Sequence, residues 1–180
     1  MEVLWETILE TPVGPLVAIA SERGLCELEF HRDERLRLHA ARLRRWYGGA
    51  VPGSGNNPHV EQTRVWLRRY FASRFDELEP LILDERGTTF ERSVWRAMRE
   101  IRLGEVCTYA ALASRVGVMR GARAVGAASR RNPVCIVTPC HRVVGSGGSL
   151  VGYGGGLDLK RRLLEHEGAL PSLAPASRAR

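Results

Sequence analysis

The sequence predicts an α+β chain in two parts: a small antiparallel sheet with helices, followed by a helical domain carrying a helix-turn-helix. Three observations predict it. Short β-favouring runs separated by turn residues crowd the N-terminal stretch. Runs with apolar residues at helical spacing follow them. Between Tyr109 and Arg130 come a helix, a short turn with glycine, and a second helix. At 180 residues with a hydrophobic share of 44%, the chain can bury one full core or two small ones.

Leu4 to Leu9, Leu16 to Ala20 and Leu25 to Phe30 are the β-favouring runs, divided by Thr11-Pro12-Val13-Gly14-Pro15 and Ser21-Glu22-Arg23-Gly24. They read as an antiparallel meander. In the third run Cys26, Leu28 and Phe30 share one face and Glu27 and Glu29 the other, so Cys26 reads as a small core residue. A metal role for Cys26 with His31 or His59 is the alternative. Asp33 to Tyr47 carries Leu36, Ala40, Leu43 and Tyr47 at helical spacing and stops at Gly48-Gly49, an amphipathic helix. His31, His39 and His59 read as surface or helix-flank residues. Val51 to Asn57 is a polar loop, after which Pro58 opens a helix running to about Phe75. Leu81-Ile82-Leu83 is β-compatible. Asp84-Glu85-Arg86-Gly87 is the linker candidate, which sets an N-terminal domain at 1–84 and a linker at 85–87.

The second domain, 88–170, opens with a capping box at Thr88-x-x-Glu91. Val94, Met98 and Ile101 form the apolar stripe of a helix ending near Leu103-Gly104. Thr108 caps a helix from Tyr109 to Val116, and Ala122 to Arg130 forms the next one. Ala122, Ala124, Gly126, Ala127 and Ala128 leave that helix a low surface above which Arg123 and Arg130 stand. Tight packing on the preceding helix is one reading of these small residues; entry into a narrow groove is the other. Residues 171–180, rich in Pro, Ser and Ala, read as a frayed tail.

The net charge is +7, and Lys160 is the only lysine among the basic residues. Guanidinium forks suit phosphates. No acidic residue occurs from Val106 to Leu157, while Arg115, Arg120, Arg123, Arg130, Arg131 and Arg142 all fall in that span. Such segregation favours a polyanion partner over a uniformly solvated surface. Cys26, Cys107, Cys135 and Cys140 show no C-x-x-C spacing, so neither a disulfide framework nor a zinc ribbon is expected. The start of the chain lacks a signal-peptide pattern and no apolar run reaches membrane-spanning length. The reading is a cytoplasmic, reducing environment with no membrane partner.

The chemistry concentrates at Thr138-Pro139-Cys140-His141-Arg142. A thiol reacts as its thiolate, and an imidazole stands next to it in sequence. The approach, Val134-Cys135-Ile136-Val137, reads as a short buried strand, placing Cys140 where a strand meets a turn. Neighbouring residues on an extended backbone point to opposite sides, so the turn begun by Pro139 must bring the two groups together.

Thr108-Tyr109, Arg123-Ala124-Val125-Gly126, Arg131-Asn132-Pro133, Pro139-Cys140-His141-Arg142-Val143-Val144, Tyr153-x-Gly155-Gly156-Leu157 and His166-Glu167-Gly168 together resemble the O6-alkylguanine-DNA alkyltransferases. The match keeps order and spacing over about Thr88 to Leu170 and is looser before it. The resemblance implies an N-terminal domain with a ribonuclease H-like sheet and a C-terminal winged helix-turn-helix. It implies repair of double-stranded DNA by transfer of an alkyl group from guanine O6, with O4-alkylthymine as a second lesion, to Cys140 itself. No cofactor and no metal take part. Cys140 is then the nucleophile, His141 its base through a water, and Glu167, 27 residues downstream, the carboxylate that orients the histidine. Asn132 assists the cysteine, and the Tyr109 hydroxyl bonds N3 of the base. Arg123 replaces a base flipped from the minor groove, with Ala122, Ala124, Gly126, Arg130 and Tyr109 along the DNA. Val143, Tyr153, Gly154 and Gly155 line the pocket. Gly154 stands where many relatives carry serine, which points to a roomier pocket that accepts larger alkyl groups. The thioether product cannot be hydrolysed, so each molecule reacts once. The protein is expected to act as a monomer, with cooperativity on DNA left open.

Read singly, Tyr109, Asn132 and Glu167 are a helix-start aromatic, a turn former and a surface acid. Two rivals remain. One is a thiol hydrolase or acyltransferase using Cys140 and His141, turning over repeatedly, with Gly145-Ser146-Gly147 as an oxyanion hole. The other is a non-catalytic module that binds damaged DNA; relatives of that kind lack the cysteine this chain keeps.

Overall fold

The structure, a computed structural model, describes residues 2–170, apart from the side chains at 33, 34, 36, 38 and 39. The tail expected at 171–180 lies outside the described residues, as do the readings made for the Leu36 and His39 side chains. The chain adopts an α+β architecture that divides into two compact units.

The first unit comprises the residues up to Gly87 together with Pro133–Cys135. Strands β1 (Trp5–Leu9), β2 (Leu16–Ala20) and β3 (Leu25–Phe30) form an antiparallel sheet in that order. Every residue of β2 and β3 is buried, including Glu27 and Glu29. Buried carboxylates need partners, and helix α1 (Asp33–Trp46) supplies them. Arg42 Nη1 reaches Glu27 Oε1 at 2.8 Å and Arg35 Nη2 reaches Glu29 Oε2 at 2.5 Å.

The strict alternation read into β3 does not hold at its start. A bulge shifts the register between Ile19 and Ala20, pairing Ile19 with Glu27 and Ala20 with Leu25. Cys26 thereby joins Leu4, Val17, Ile19, Leu43 and Tyr47 in one buried cluster instead of following Leu28 and Phe30. It is a core thiol, and burial pushes it up to about 11. Asn57 caps helix α2 (Pro58–Phe71), its side chain accepting from the His59 and Val60 amides. The helix ends before the expected Phe75: Ser73 takes a positive φ of 56° and a 3-10 turn follows at Phe75–Glu77. Of the β-compatible Leu81–Leu83 run, only Leu83 makes a bridge, to Leu25.

The second unit comprises Thr88–Asn132 and the chain from Ile136. Thr88 and Glu91 close a reciprocal capping box on helix α3 (Thr89–Arg99). Val94, Trp95 and Met98 are buried on it, and Trp95 Nε1 donates to the Ala128 carbonyl at 2.9 Å. The helix stops at Arg99, short of the expected Leu103-Gly104, while Ile101 is buried beyond its end. Strand β4 (Cys107–Thr108) leads directly into α4 (Tyr109–Arg115), capped by the Thr108 side chain, and α5 (Ala122–Arg130) follows the turn. Strand β5 (Val143–Val144) pairs parallel with β4, setting Cys107 against Val143 and Thr108 against Val144. That ladder brings the start of α4 beside the residues that follow Cys140. Helix α6 (Leu157–His166) closes the unit.

The strand expected over Val134–Val137 is not formed. Val134 makes a single bridge, to Leu28, and the next three residues are a turn in which Ile136 holds φ 68°. A left-handed β-branched residue costs about 1–2 kcal/mol. Burial of the apolar run is satisfied by a turn as well as by a strand, so composition alone does not separate the two.

Candidate active site

Cys140 opens one turn of 3-10 helix, Cys140–Arg142, and is half-exposed while His141 and Arg142 are buried. Asn132, itself buried after the end of α5, donates from Nδ2 to Cys140 Sγ at 3.2 Å and to the Thr138 carbonyl at 2.8 Å. The Thr138 hydroxyl accepts from Arg99 Nη1 at 2.8 Å. Both polar groups of this buried threonine are thus bonded, which fixes the backbone two residues before the sulfur.

The same turn sends His141 into the interior. Its Nε2 lies 2.9 Å from Glu167 Oε1, both side chains at 0% exposure. Arg142 forks onto the same carboxylate, Nε to Oε2 at 2.8 Å and Nη2 to Oε1 at 2.9 Å, and its Nη1 donates to the Ile101 carbonyl at 2.6 Å. Burial alone would raise Glu167, but the hydrogen bond from His141 and the charge and hydrogen bonds of Arg142, joined by the His141 charge whenever that ring is protonated, outweigh it and hold the carboxyl well below the usual range. An ionised carboxylate only accepts, so Nε2 carries the ring proton. Burial keeps His141 below its ordinary value against the opposing pull of Glu167. A neutral ring with Nε2–H leaves Nδ1 as a lone pair, and Nδ1 meets no hydrogen-bond partner among the described residues. The histidine is arranged as a base.

Tyr109 heads α4, its hydroxyl donating to the Gly152 carbonyl at 3.3 Å. Burial, and then the Cys140 charge, raise its phenol. Tyr153 sets its ring edge-on to His141, with centroids 6.4 Å apart. Gly155 is buried and Gly154 exposed on the same segment, and Val143 is buried in β5. On α5, Val125, Ala128 and Ser129 are buried, whereas Arg123, Ala124 and Arg130 are exposed and Ala122 and Gly126 half-buried. A Cβ on Gly126 would lie 3.8 Å from the Tyr109 ring. The second unit therefore brings Cys140, His141, Glu167, Asn132, Tyr109 and Tyr153 into one neighbourhood, with Arg123 and Arg130 displayed on α5.

Two family models match the chain: 6-O-methylguanine DNA methyltransferase, ribonuclease-like domain, over residues 4–84, and 6-O-methylguanine DNA methyltransferase, DNA binding domain, over residues 89–169. The methylated-DNA--protein-cysteine methyltransferase of Methanosarcina barkeri is 37% identical over 91% of this chain and 97% of its own length. The protein of the same name from Salmonella typhimurium is 40% identical over 93% and 97%. The chain belongs to the 6-O-methylguanine DNA methyltransferase family. Among solved members, Mycobacterium tuberculosis OGT in complex with DNA superposes with a TM-score of 0.73 at 36% identity, covering 94% of each chain. The O6-methylguanine-DNA methyltransferase of Pyrococcus kodakaraensis gives 0.62 at 28% identity, over 92% of this chain and 99% of that one.

Within this member of the methyltransferase family the structure corrects one reading and adds another. Arg142, counted among the basic residues facing a polyanion, is buried on Glu167, which takes up its charge. Lys160, given no part in the sequence reading, is fully buried beside the site. Its signal was its uniqueness, one lysine in a chain otherwise supplied with arginine. The Gly145 amide donates to the Ser149 carbonyl at 2.8 Å and is spent within its own turn, which removes one donor from the rival oxyanion hole. Among the described residues, no helix is long and apolar enough to cross a membrane.

Proposed function

We propose that this chain repairs DNA by direct reversal: it takes the alkyl group of O6-alkylguanine onto Cys140 in a reaction each molecule performs once. The observation that supports this is Asn132 donating to the Cys140 sulfur, with the next residue, His141, buried and held by Glu167. Attack on a saturated carbon requires a soft anionic nucleophile, and thiolate is the best available side chain. Through a water, His141 Nδ1 takes the thiol proton while Nε2–H stays on Glu167. The sulfur forms its bond to the alkyl carbon as the C–O6 bond breaks, and that electron pair passes into the purine. Tyr109 assists departure by donating to N3, and the proton lost from the thiol balances the one guanine regains. The balance closes without a cofactor. A thioether has no good leaving group, so the alkyl stays.

A base inside the stack cannot present O6 to a half-buried sulfur, which requires extrusion. Helix α5 suits approach from the minor groove: Ala122, Ala124 and Gly126 keep its face low, Arg123 fills the vacated place in the stack, and Arg130 meets phosphate. Val143, Tyr153, Gly154 and Gly155 bound the pocket. O4-alkylthymine is the second lesion this pocket would take, and the acting species is a monomer on duplex DNA.

The deciding experiment incubates the protein with an oligonucleotide carrying O6-methylguanine and weighs it intact. One methyl group per chain, mapped to Cys140, is the expected result. Processing of many equivalents per chain, or undiminished repair by Cys140→Ala, would overturn the reading.

A further inference from the structure

The sheet of the first unit has β1 at one edge and β3 at the other, and its hydrogen bonds show that the β1 edge is open. On β3 the outward groups belong to Leu28, whose amide donates to the Pro133 carbonyl at 2.9 Å and whose carbonyl accepts from the Cys135 amide at 2.8 Å. On β1 they belong to the even-numbered residues. The Glu6 amide donates to the Gly53 carbonyl at 3.0 Å, and the Leu4 carbonyl accepts from the Gly53 amide at 2.9 Å. Ile8 has the same parity, so its N–H and C=O also point away from β2. Among the described residues neither group meets a main-chain partner. Such an edge is a template for another strand.

The side chains around the opening select what can pair there. Glu6, Ile8 and Glu10 are exposed, Ile8 by 48%, and strand alternation sets all three on one face. Leu9 is buried on the other face, and a groove of about 480 Å³ is lined by residues 8–12 and by Arg64, Leu67, Arg68 and Phe71 of α2. Arg64 is paired with Glu61 at 3.2 Å. A second copy of β1 fits poorly, because antiparallel pairing centred on Ile8 sets Glu6 against Glu10 twice. A strand with a cation two places either side of an apolar residue turns both repulsions into attractions.

We propose that the β1 edge at Ile8 is a docking site for an extended peptide of a partner protein, with an apolar residue opposite Ile8, lysine or arginine two places to either side, and apolar residues between them. The peptide adds a strand to the sheet: its main chain meets the Ile8 N–H and C=O, its cations meet Glu6 and Glu10, and its intervening side chains enter the groove against Leu67 and Phe71. The available edge is short. Gly53 occupies it upstream, and downstream the chain turns at Thr11, whose carbonyl accepts from the Gly14 amide at 3.0 Å. Side chains therefore decide which peptide binds. The site belongs to the first unit and takes no part in the chemistry at Cys140 in the second.

The probe is acetyl-Arg-Leu-Val-Leu-Arg-amide, titrated into the isotopically labelled full chain and followed by amide resonances. Saturable shifts of the Ile8 and Glu10 amides at millimolar peptide are expected. Ile8→Pro removes the outward N–H and none of the bonds to β2, so the sheet survives while binding weakens about fivefold. N-methylation of the valine in the peptide removes the donor to the Ile8 carbonyl and should give a similar loss with the protein untouched. Glu10→Arg should weaken the arginine peptide about threefold and strengthen acetyl-Glu-Leu-Val-Leu-Glu-amide. Absence of saturable binding by the arginine peptide overturns the proposal, and so does an N-methylated peptide that binds as well as its parent. Equal or tighter binding of the glutamate peptide to the unaltered chain also overturns it, since the groove would then be selecting through Arg68.

Discussion

Asn132 holds the sulfur of Cys140: one amide nitrogen donates to Sγ at 3.2 Å and to the Thr138 carbonyl at 2.8 Å. The first bond favours the thiolate and the second fixes the approach to the turn. Asn132→Ala removes both while the Thr138 carbonyl keeps the Cys140 amide at 2.8 Å, so the loss in denaturant unfolding is about 0.5–1.5 kcal/mol. Losing a donor to the anion disfavours the thiolate, so single-turnover transfer at neutral pH should fall about tenfold. Asn132→Asp keeps the shape but sets a carboxylate beside the sulfur, and transfer should be slower still.

Acid destabilisation should come in two steps. His141 has a folded value lowered by burial, so below its ordinary 6.5 the unfolded chain binds the proton and the folded one resists it. Stability is therefore lost as pH falls below about 6.5. Glu167 is held down by His141 and Arg142 against its burial; its contribution is complete above the ordinary 4.5 and disappears as pH falls toward the lower folded value. Urea midpoints measured from about pH 8 to about pH 3 should show both limbs. Glu167→Gln removes the second limb and costs about 3–5 kcal/mol above the ordinary 4.5, because Arg142 is left buried without its anion, a cost that shrinks as pH falls and the parent loses the same charge.

The fold was legible where local chemistry closes on itself. Ala122 to Arg130 was read at both ends, and the Thr88 to Glu91 capping box needs only its own side chains. It failed where a distant segment decides. Glu27 and Glu29 are buried because arginines of α1 reach them, and the bulge at Ile19/Ala20 moves Cys26 to the opposite side from Leu28. The turn through Ile136 has the composition of a strand. The site divides in the same way. Cys140 and His141 stand out as a dipeptide and Glu167 is named only through the family resemblance; the structure pairs His141 with Glu167 at 2.9 Å. The burial of Arg142 and Lys160 depends on α6 folding back beside β5, which no local pattern announces.

Arg123 is exposed on α5 and touches none of the relay, so its removal should separate DNA binding from chemistry. Arg123→Ala is expected to weaken binding to a lesion-bearing duplex and to flatten the dependence of log affinity on log salt by about one. The rate with free O6-benzylguanine should stay within about twofold, because a free base needs no extrusion. Fluorescence anisotropy over a salt series, beside a free-base assay on the same preparation, gives both readouts.

Gly154 tests how the pocket sorts alkyl groups. It is exposed on the segment that carries Tyr153, and its φ is not in the left-handed region, so a side chain there meets no backbone strain. Gly154→Ser adds a hydroxymethyl group with one donor. The added bulk narrows the space available to a large alkyl substituent, while the hydroxyl supplies a hydrogen bond that the leaving O6 lacks in the parent. The two effects act in opposite directions on small and large lesions. Transfer from O6-methylguanine should therefore hold or rise, while transfer from O6-benzylguanine falls by about tenfold, the scale on which a pocket discriminates small apolar increments. The ratio of the two single-turnover rates is the measurement. Because both substrates use the same sulfur and the same relay, a change in nucleophile strength cancels from that ratio and only the shape of the pocket remains.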